Sequence, residues 1–460
     1  MKNLTLKNLQ TVTGGKLCNA KEVLNTEITS VVSDSRKIRE DCLFLCIKGE
    51  KADGHDFAAK AVEDGALAVV CERKIEKYNG PYLLVESVLK ATQEIAEFYR
   101  MGLTTTKVVG ITGSVGKTST KEFVSAVLSR KYRVRKTKGN LNNQWGVPFT
   151  IFDIKESDEV AVIEMGIGDF GEMDHLAKMV RPDIAVITNI GQSHLEFFKT
   201  RDGILKEKSQ IFNYMTPDGS IILNGDDDKL SKVGTTKGIR PRFYGLSRKC
   251  DICAENIVDN GFKGVDFDVV MRDGGGKMSL HVSMPIPGKQ MVYNALAATL
   301  VGLEMDVAPL LIKNALEHLE GTSGRNNVIK TDRFTLIDDC YNASPASMES
   351  ALDLLKTAEG RKVAVLGDMF ELGEDSDKYH FQIGKKAGEN DIDLIICVGD
   401  NSEKTFMGAK MSTDKQVEFY RTVDECLDML KFLLKDGDTV LVKASNGMNF
   451  SRIVESVKLY

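Results

Sequence analysis

The chain lacks any apolar run near the ~20 residues needed to cross a bilayer. Its apolar runs, such as Ile392–Val398, have the length of a strand. The opening stretch, Met1–Gly15, lacks the apolar core of a signal peptide. Both absences predict a cytoplasmic protein. There is no basic excess either: 61 Lys and Arg stand against 66 Asp and Glu, a net charge of −5. Nothing therefore suggests a binder of nucleic-acid backbones. The nine cysteines are scattered, and the single CxxC, Cys250 and Cys253, has no second pair at similar spacing. A zinc site is not expected, and the thiols read as reduced core residues. Short repeats and low-complexity tracts are also missing.

What is present is ordinary globular material. Of 460 residues, 42% are hydrophobic and 28% charged, enough for several cores. The length predicts two to four domains. Up to about residue 100, short apolar runs (Cys42–Ile47, Ala66–Cys71) flank a helical segment, Asp56–Asp64, which reads as a small α/β domain. From Lys107 onward a strand, a glycine-rich turn and an amphipathic helix (Thr118–Arg130) follow one another. Phe123, Val124, Val127 and Leu128 fall on one face of that helix. Strands at Val160–Glu164, Ile184–Thr188 and Ser220–Leu223, with helices between, predict a mostly parallel sheet covered on both sides. Residues 240–286 look β-rich and irregular, and helical texture runs from Gln290 to about Leu319. After a linker, Glu320–Gly324, apolar runs at Phe334–Ile337, Val363–Leu366, Leu394–Val398 and Thr439–Val442 predict a second doubly wound sheet.

Chemistry concentrates at Gly110–Ser119, read Gly-Ile-Thr-Gly-Ser-Val-Gly-Lys-Thr-Ser. Gly113 and Gly116 let the backbone N–H groups around Ser114 and Val115 close on phosphate oxygens. The N-terminus of the following helix, with Ser119 in its first turn, adds its positive dipole end. Lys117 reaches for β- and γ-phosphates, and the Thr118 hydroxyl suits Mg²⁺. The common GxxxxGK[ST] form is not met, because Ile111 stands at its first glycine; the form here is TGxxGKT. The apolar strand Val160–Glu164 ends in a carboxylate, where a Mg²⁺ ligand is needed. Taken singly, a Gly-rich turn before a helix and a Glu after a strand are common structural features. The two together point to ATP.

With these residues in place the chain resembles the ATP-dependent Mur ligases and the related folylpolyglutamate synthetases. The resemblance continues along almost the whole chain. It rests on Lys138–Asn143 with Gly146-Val-Pro148, Glu164-Met-Gly166 with Gly171-Glu-Met173, and Ile187–Glu196. It rests also on Asp34-Ser-Arg36, Asp53–Phe57, Asp338–Ala343 and Gly367–Glu374. The paired Asn142 and Asn143 and the Gly367–Glu374 block are similar to the branch that adds D-alanyl-D-alanine to UDP-N-acetylmuramoyl-tripeptide. The chain departs from the family pattern at Gln290-Met291, Ser344 and Asn446.

The resemblance implies an α/β protein of three domains. They are a small N-terminal UDP-sugar domain (1–102), a central ATP-binding domain with a P-loop ATPase-like parallel sheet (103–320) and a C-terminal Rossmann-like domain (321–460). It implies transfer of the ATP γ-phosphoryl group to the tripeptide carboxylate, then attack by the dipeptide amine on the acyl phosphate. It also implies two Mg²⁺ ions: Thr118 and Glu164 hold one, and His194 helps hold a second with a carbamylated Lys208. The same resemblance gives Arg325 to the nucleotide phosphates, Asn294 to adenine, Asp338 or Asp339 to the ribose, and Asn342 to the nucleotide's surroundings. Ser33, Asp34, Ser35 and Arg36 go to the UDP-sugar, and Asn140, Asn142 and Asn143 to substrate. A monomer working on small molecules, away from nucleic acid and membrane, is expected.

Two other readings compete. One is another amide ligase of the same superfamily, and the Asp34-Ser-Arg36 block argues against its folate branch. The other is an ATP-driven switch or motor, which needs no UDP-sugar segment and no amine acceptor. A degenerate scaffold is argued against by intact Lys117, Thr118, Glu164 and His194.

Overall fold

Ala66–Cys71 is buried at every position, and so are Val160–Glu164, Leu394–Val398 and Thr439–Lys443. Strands covered by helices on both faces carry such unbroken apolar runs, and these strands sit inside the sheets of three domains. The computed structural model describes residues 1–49, 52–76, 78–192, 195–273, 276–321 and 323–460.

Among the described residues the first sheet has the order Lys16–Cys18, Tyr82–Leu84, Ala66–Cys71, Cys42–Leu45, Val31–Val32. Only the Lys16–Cys18 edge is antiparallel. The segment predicted as one helix, Asp56–Asp64, is a 3₁₀ turn, Gly54–Phe57, running into the helix Ala58–Glu63.

The central sheet has nine strands among the described residues. Its parallel part runs Val134–Lys136, Val160–Glu164, Lys107–Thr112, Ile184–Ile187, Ser220–Asn224, Arg242–Gly245, Ile252–Asp259. Two antiparallel strands, Val265–Asp273 and Gly276–Met284, extend it. The β-rich stretch before residue 286 is this extension. Its alternation is broken by a register shift between Glu255 and Val258, with Asn256 at φ +53°. The helical texture after Gln290 resolves into two helices, Gln290–Glu304 and Pro309–Glu317. The break falls where Asp306 turns left-handed (φ +53°) and Pro309 starts the second helix, a position that tolerates its missing N–H.

The third sheet has the order Asn327–Lys330, Thr335–Asp338, Thr439–Lys443, Lys362–Gly367, Leu394–Val398, Gln416–Tyr420, parallel except at the first edge. No helix among the described residues is long and apolar enough to cross a membrane.

Candidate active site

The strand Lys107–Thr112 lies between Val160–Glu164 and Ile184–Ile187, and its C-terminal end opens into the phosphate loop. Gly113 sits at φ +150°, and a Cβ there would lie 1.9 Å from Thr188 Oγ1, so only glycine fits. Gly116, at φ +83°, turns the chain into the helix Lys117–Leu128. The end of the neighbouring strand braces the loop. The backbone N–H groups of Ser114 and Val115 donate to Asn189 O (3.1 Å) and Asn189 Oδ1 (3.0 Å). Val115 O accepts from Thr188 Oγ1 (2.6 Å) and Asn189 Nδ2 (2.9 Å). Thr188 and Asn189 lie inside the quoted Ile187–Glu196 block, but their bracing role was not read there. A polar pair straight after an apolar strand was the available signal. Lys117 folds back on its own loop, donating to Gly113 O at 2.9 Å. Burial pushes its ammonium below the ordinary range, opposed by Glu164 and, from the third domain, Glu371.

Beside the loop, Glu164 Oε1 accepts from Thr118 Oγ1 at 3.0 Å and from Asn142 Nδ2 at 2.8 Å. Its other oxygen, Oε2, is buried without a hydrogen bond, with the buried Lys121 ammonium 3.6 Å away. An orphaned carboxylate oxygen next to a threonine hydroxyl fits a hard divalent cation such as Mg²⁺. Lys121 escaped the sequence reading, because a lysine one turn into a helix looks solvated. Asn143 instead turns its Oδ1 to the N–H groups of Trp145 and Gly146, tying the start of the helix Gly146–Phe152. Asn140 is exposed and lies outside the cleft lining.

Lys208 is 1% exposed, and its ammonium has no hydrogen bond among the described residues. Burial, helped by nearby Lys117, holds it well below the usual lysine range, with Glu207 opposing. The Glu207 carboxylate is itself engaged by the Met173 N–H (3.0 Å) and Gln210 Nε2 (2.6 Å). Lys206, the neighbouring candidate, is exposed. His194 lies outside the described residues.

The third domain closes the cleft from above. Arg325 Nη2 donates to Thr118 Oγ1 at 2.9 Å, and the guanidinium stacks 3.8 Å from the Tyr341 ring centroid. The linker around Arg325 is clamped on both sides. Gly324 N donates to Asp338 Oδ2 (2.9 Å), and Asn326 N donates to Asp339 Oδ1 (3.1 Å). Asp339 also pairs with the buried Lys443 at 2.6 Å, and Lys443 donates to Asn342 O at 3.1 Å. Asp339 and Asn342 line the cleft, whereas Asp338 does not. Asn294 is buried, its Oδ1 accepting from Thr120 Oγ1 at 3.0 Å.

Ser114, Val115, Gly116, Lys117, Thr118, Ser119, Asn142, Glu164, Asn294 and Arg325 thus share one cleft of about 960 Å³. Ser33, Asp34, Ser35 and Arg36 lie elsewhere, at the start of the first domain's 3₁₀ turn Ser35–Lys37, which Asp34 caps. There Arg36 grips Asp34 through two hydrogen bonds of 2.9 Å each and holds its carboxyl down to about 2.

Comparison with known proteins supplies the family. The Mur ligase family's catalytic domain matches residues 27–105, its middle domain residues 111–302, and its glutamate ligase domain residues 324–446. The chain is 36% identical over 459 residues to the UDP-N-acetylmuramoyl-tripeptide–D-alanyl-D-alanine ligase of Bacillus subtilis (strain 168), covering 98% of each chain. Against the enzyme of the same name from Escherichia coli (strain K12) it is 33% identical, covering 100% of this chain and 99% of the other. Its fold matches a crystal structure of MurF from Acinetobacter baumannii with a TM-score of 0.89 at 31% identity, over 99% of both chains. It also matches the MurF ligase from Thermotoga maritima in complex with ADP, with a TM-score of 0.79 at 29% identity, over 94% of this chain and 97% of that one. Sequence, fold and phosphate-loop geometry agree along the full length: the chain belongs to the Mur ligase family.

Proposed function

We propose that this chain joins D-alanyl-D-alanine to UDP-N-acetylmuramoyl-tripeptide at the expense of ATP, and so completes a cell-wall precursor. The observation that carries the reading is the hydrogen-bonded series Arg325–Thr118–Glu164, which draws the third domain onto the phosphate loop. Around it stand the relatives of that name.

The reaction has two steps. A tripeptide carboxylate oxygen attacks the γ-phosphorus of ATP; a new P–O bond forms, the bond to the β-phosphate oxygen breaks, and ADP leaves. The dipeptide amine then attacks the acyl carbon. A C–N bond forms, the C–O bond to phosphate breaks, phosphate leaves and the amine gives up a proton. Two anions must meet in the first step, so catalysis is largely charge neutralisation and positioning. The N–H groups at the start of the helix Lys117–Leu128, together with the Lys117 ammonium, hold the phosphates, those of Ser114 and Val115 being taken by Asn189, and Arg325 adds a second cation. Thr118 and Glu164 would hold a Mg²⁺ ion, which would supply further neutralising charge. Asn142 keeps the Glu164 carboxylate oriented.

The family resemblance implies that a carbamylated Lys208, together with His194, would hold a second Mg²⁺. Carbamylation needs a neutral amine: nitrogen attacks CO₂, a C–N bond forms and a proton leaves. Burial of Lys208 favours that neutral form. In this reading Ser33–Arg36 hold the UDP-sugar in the first domain, with boundaries near residues 102 and 320. Asn142 and Asn143, which line the cleft, border the peptide substrate, Asn140 lying outside it, and the enzyme works as a cytoplasmic monomer.

The test is phosphate release from ATP and Mg²⁺ with UDP-N-acetylmuramoyl-tripeptide, with and without D-alanyl-D-alanine. Release that needs both, with a matching pentapeptide by mass, is expected. Release with a single amino acid in place of the dipeptide would move the chain to another branch, and release without an acceptor would replace the ligase reading by an ATPase.

A further inference from the structure

Lys121 lies in the helix Lys117–Leu128, three residues after Thr118 and so on the same helix face. It is 1% exposed and does not line the cleft. Its ammonium sits behind Glu164, 3.6 Å from Oε2, the oxygen that has no hydrogen bond. One helix turn thus grips both oxygens of that carboxylate, with the Thr118 hydroxyl at Oε1 and the ammonium at Oε2. On the other side of Lys121, Glu122 Oε1 stands 3.2 Å away, and the second oxygen of Glu122 pairs with Lys136.

A buried ammonium persists only where opposite charge compensates its lost hydration, and here two carboxylates share that task. The two are not equivalent. Glu164 is as buried as the lysine, whereas the Glu122 side chain keeps 23% of its surface in solvent. The contact with Glu164 is an ion pair without a hydrogen bond, and the contact with Glu122 is shorter. The ammonium can therefore give up Glu164 and still keep a counter-charge.

We propose that Lys121 is a positioning residue that stands in for the divalent cation at Glu164. It balances the buried carboxylate before Mg²⁺ binds, and it leans on Glu122 once Mg²⁺ draws on the same charge. The inference rests on the reading of Thr118 and Glu164 as a Mg²⁺ site. Lys121 touches no substrate in this scheme; as a cation fixed behind the carboxylate, it sets how tightly the metal is held.

The experiment uses the full chain and the variants Lys121→Met and Glu122→Gln. ADP affinity is measured by calorimetry in EDTA and again in excess Mg²⁺. The ratio of the two affinities reports the metal's share, and comparing ratios between variants cancels the binding of Mg²⁺ to ADP in solution. Lys121→Met removes the competing cation and should raise the ratio roughly tenfold. Glu122→Gln leaves Lys121 with Glu164 alone and should lower the ratio severalfold. In EDTA, Lys121→Met should melt below the wild type, because Glu164 is left buried without its counter-charge, and Mg²⁺ with ADP should close that gap. A merely structural lysine would lower melting equally in both conditions and leave the ratio unmoved; that result, or a ratio that falls, would overturn the inference. If Lys121→Met does not fold, Glu122→Gln decides, and a ratio equal to that of the wild type would overturn the inference. A wild type whose ADP affinity ignores Mg²⁺ would bring down the metal-site reading and this inference with it.

Discussion

Arg325 and Thr118 stand 207 positions apart in sequence and meet through a 2.9 Å hydrogen bond between Nη2 and the hydroxyl. Because the same hydroxyl donates to Glu164, the arginine of the third domain and the carboxylate of the second are joined through one oxygen. On the proposed mechanism, replacing Arg325 with alanine removes a cation that neutralises the transferring phosphoryl group. Steady-state phosphate release should show kcat lowered about 100-fold, a size typical for losing one such donor. Arg325→Lys should recover only part of it, since an ammonium cannot reproduce the planar stack on Tyr341. A kcat that survives the alanine change would separate this contact from catalysis.

Gly113→Ala places a methyl group 1.9 Å from Thr188 Oγ1, at a φ of +150°. The backbone strain alone costs about 1–3 kcal/mol, and the clash adds to it. Urea unfolding should show that loss, with ADP affinity falling as well. Adding Thr188→Ala removes the nearest atom but leaves Thr188 Cβ at 3.0 Å, so the double variant should recover part of the stability and not all. Full additivity of the two losses would contradict the contact.

Lys208→Ala should lower the ligation rate about 100-fold or more, in line with losing a metal-orienting group. The wild type should lose activity when stripped of CO₂ and regain it with bicarbonate. The alanine variant should ignore bicarbonate but respond to acetate, a small carboxylate standing in for the carbamate. Lys206, which is exposed, serves as the control. Equal losses at Lys206 and Lys208 would sink the assignment.

His380 is fully buried. Its Nδ1 donates to Ser376 O at 2.8 Å, and its Nε2 accepts from the Met369 N–H at 2.9 Å. Burial holds its folded-state pKa below the ordinary 6.5. The folded protein thus binds fewer protons than the unfolded chain just below that pH. Its stabilisation is complete above 6.5 and falls with acidification, by at most about 1.4 kcal/mol per pH unit. Chemical unfolding followed between about pH 7.5 and 5.5 should show this slope. His380→Gln should flatten it, and an unchanged slope would place the acid sensitivity elsewhere.

The parallel strands and the phosphate loop were readable because their signals are local. Val160–Ile163 and Leu394–Val398 are unbroken apolar runs, and Gly113 and Gly116 flank the turn that a phosphate requires. The antiparallel arm escaped because the register shift after Glu255 erases alternation where it was needed. The helix break at Asp306 was hidden by continuous apolar residues on both sides. Within the site, Thr118 and Glu164 follow from spacing, whereas Lys121, Thr188 and Asn189 do not. Each of those three matters only through a neighbour brought to it by the sheet or by a helix packed on it. Asn294, which the family pattern gives to adenine, lines the cleft and is oriented by Thr120.

The double clamp on the linker has a mechanical meaning. With Gly324 tied to Asp338 and Asn326 tied to Asp339, Arg325, which follows directly on the linker, is a rigid tooth of the third domain. Any pivot lies upstream, so the guanidinium swings with the whole domain and cannot lag behind it. Were that domain to rotate away, the phosphate loop would lose a cation in the same motion that admits water, which would suppress idle ATP cleavage.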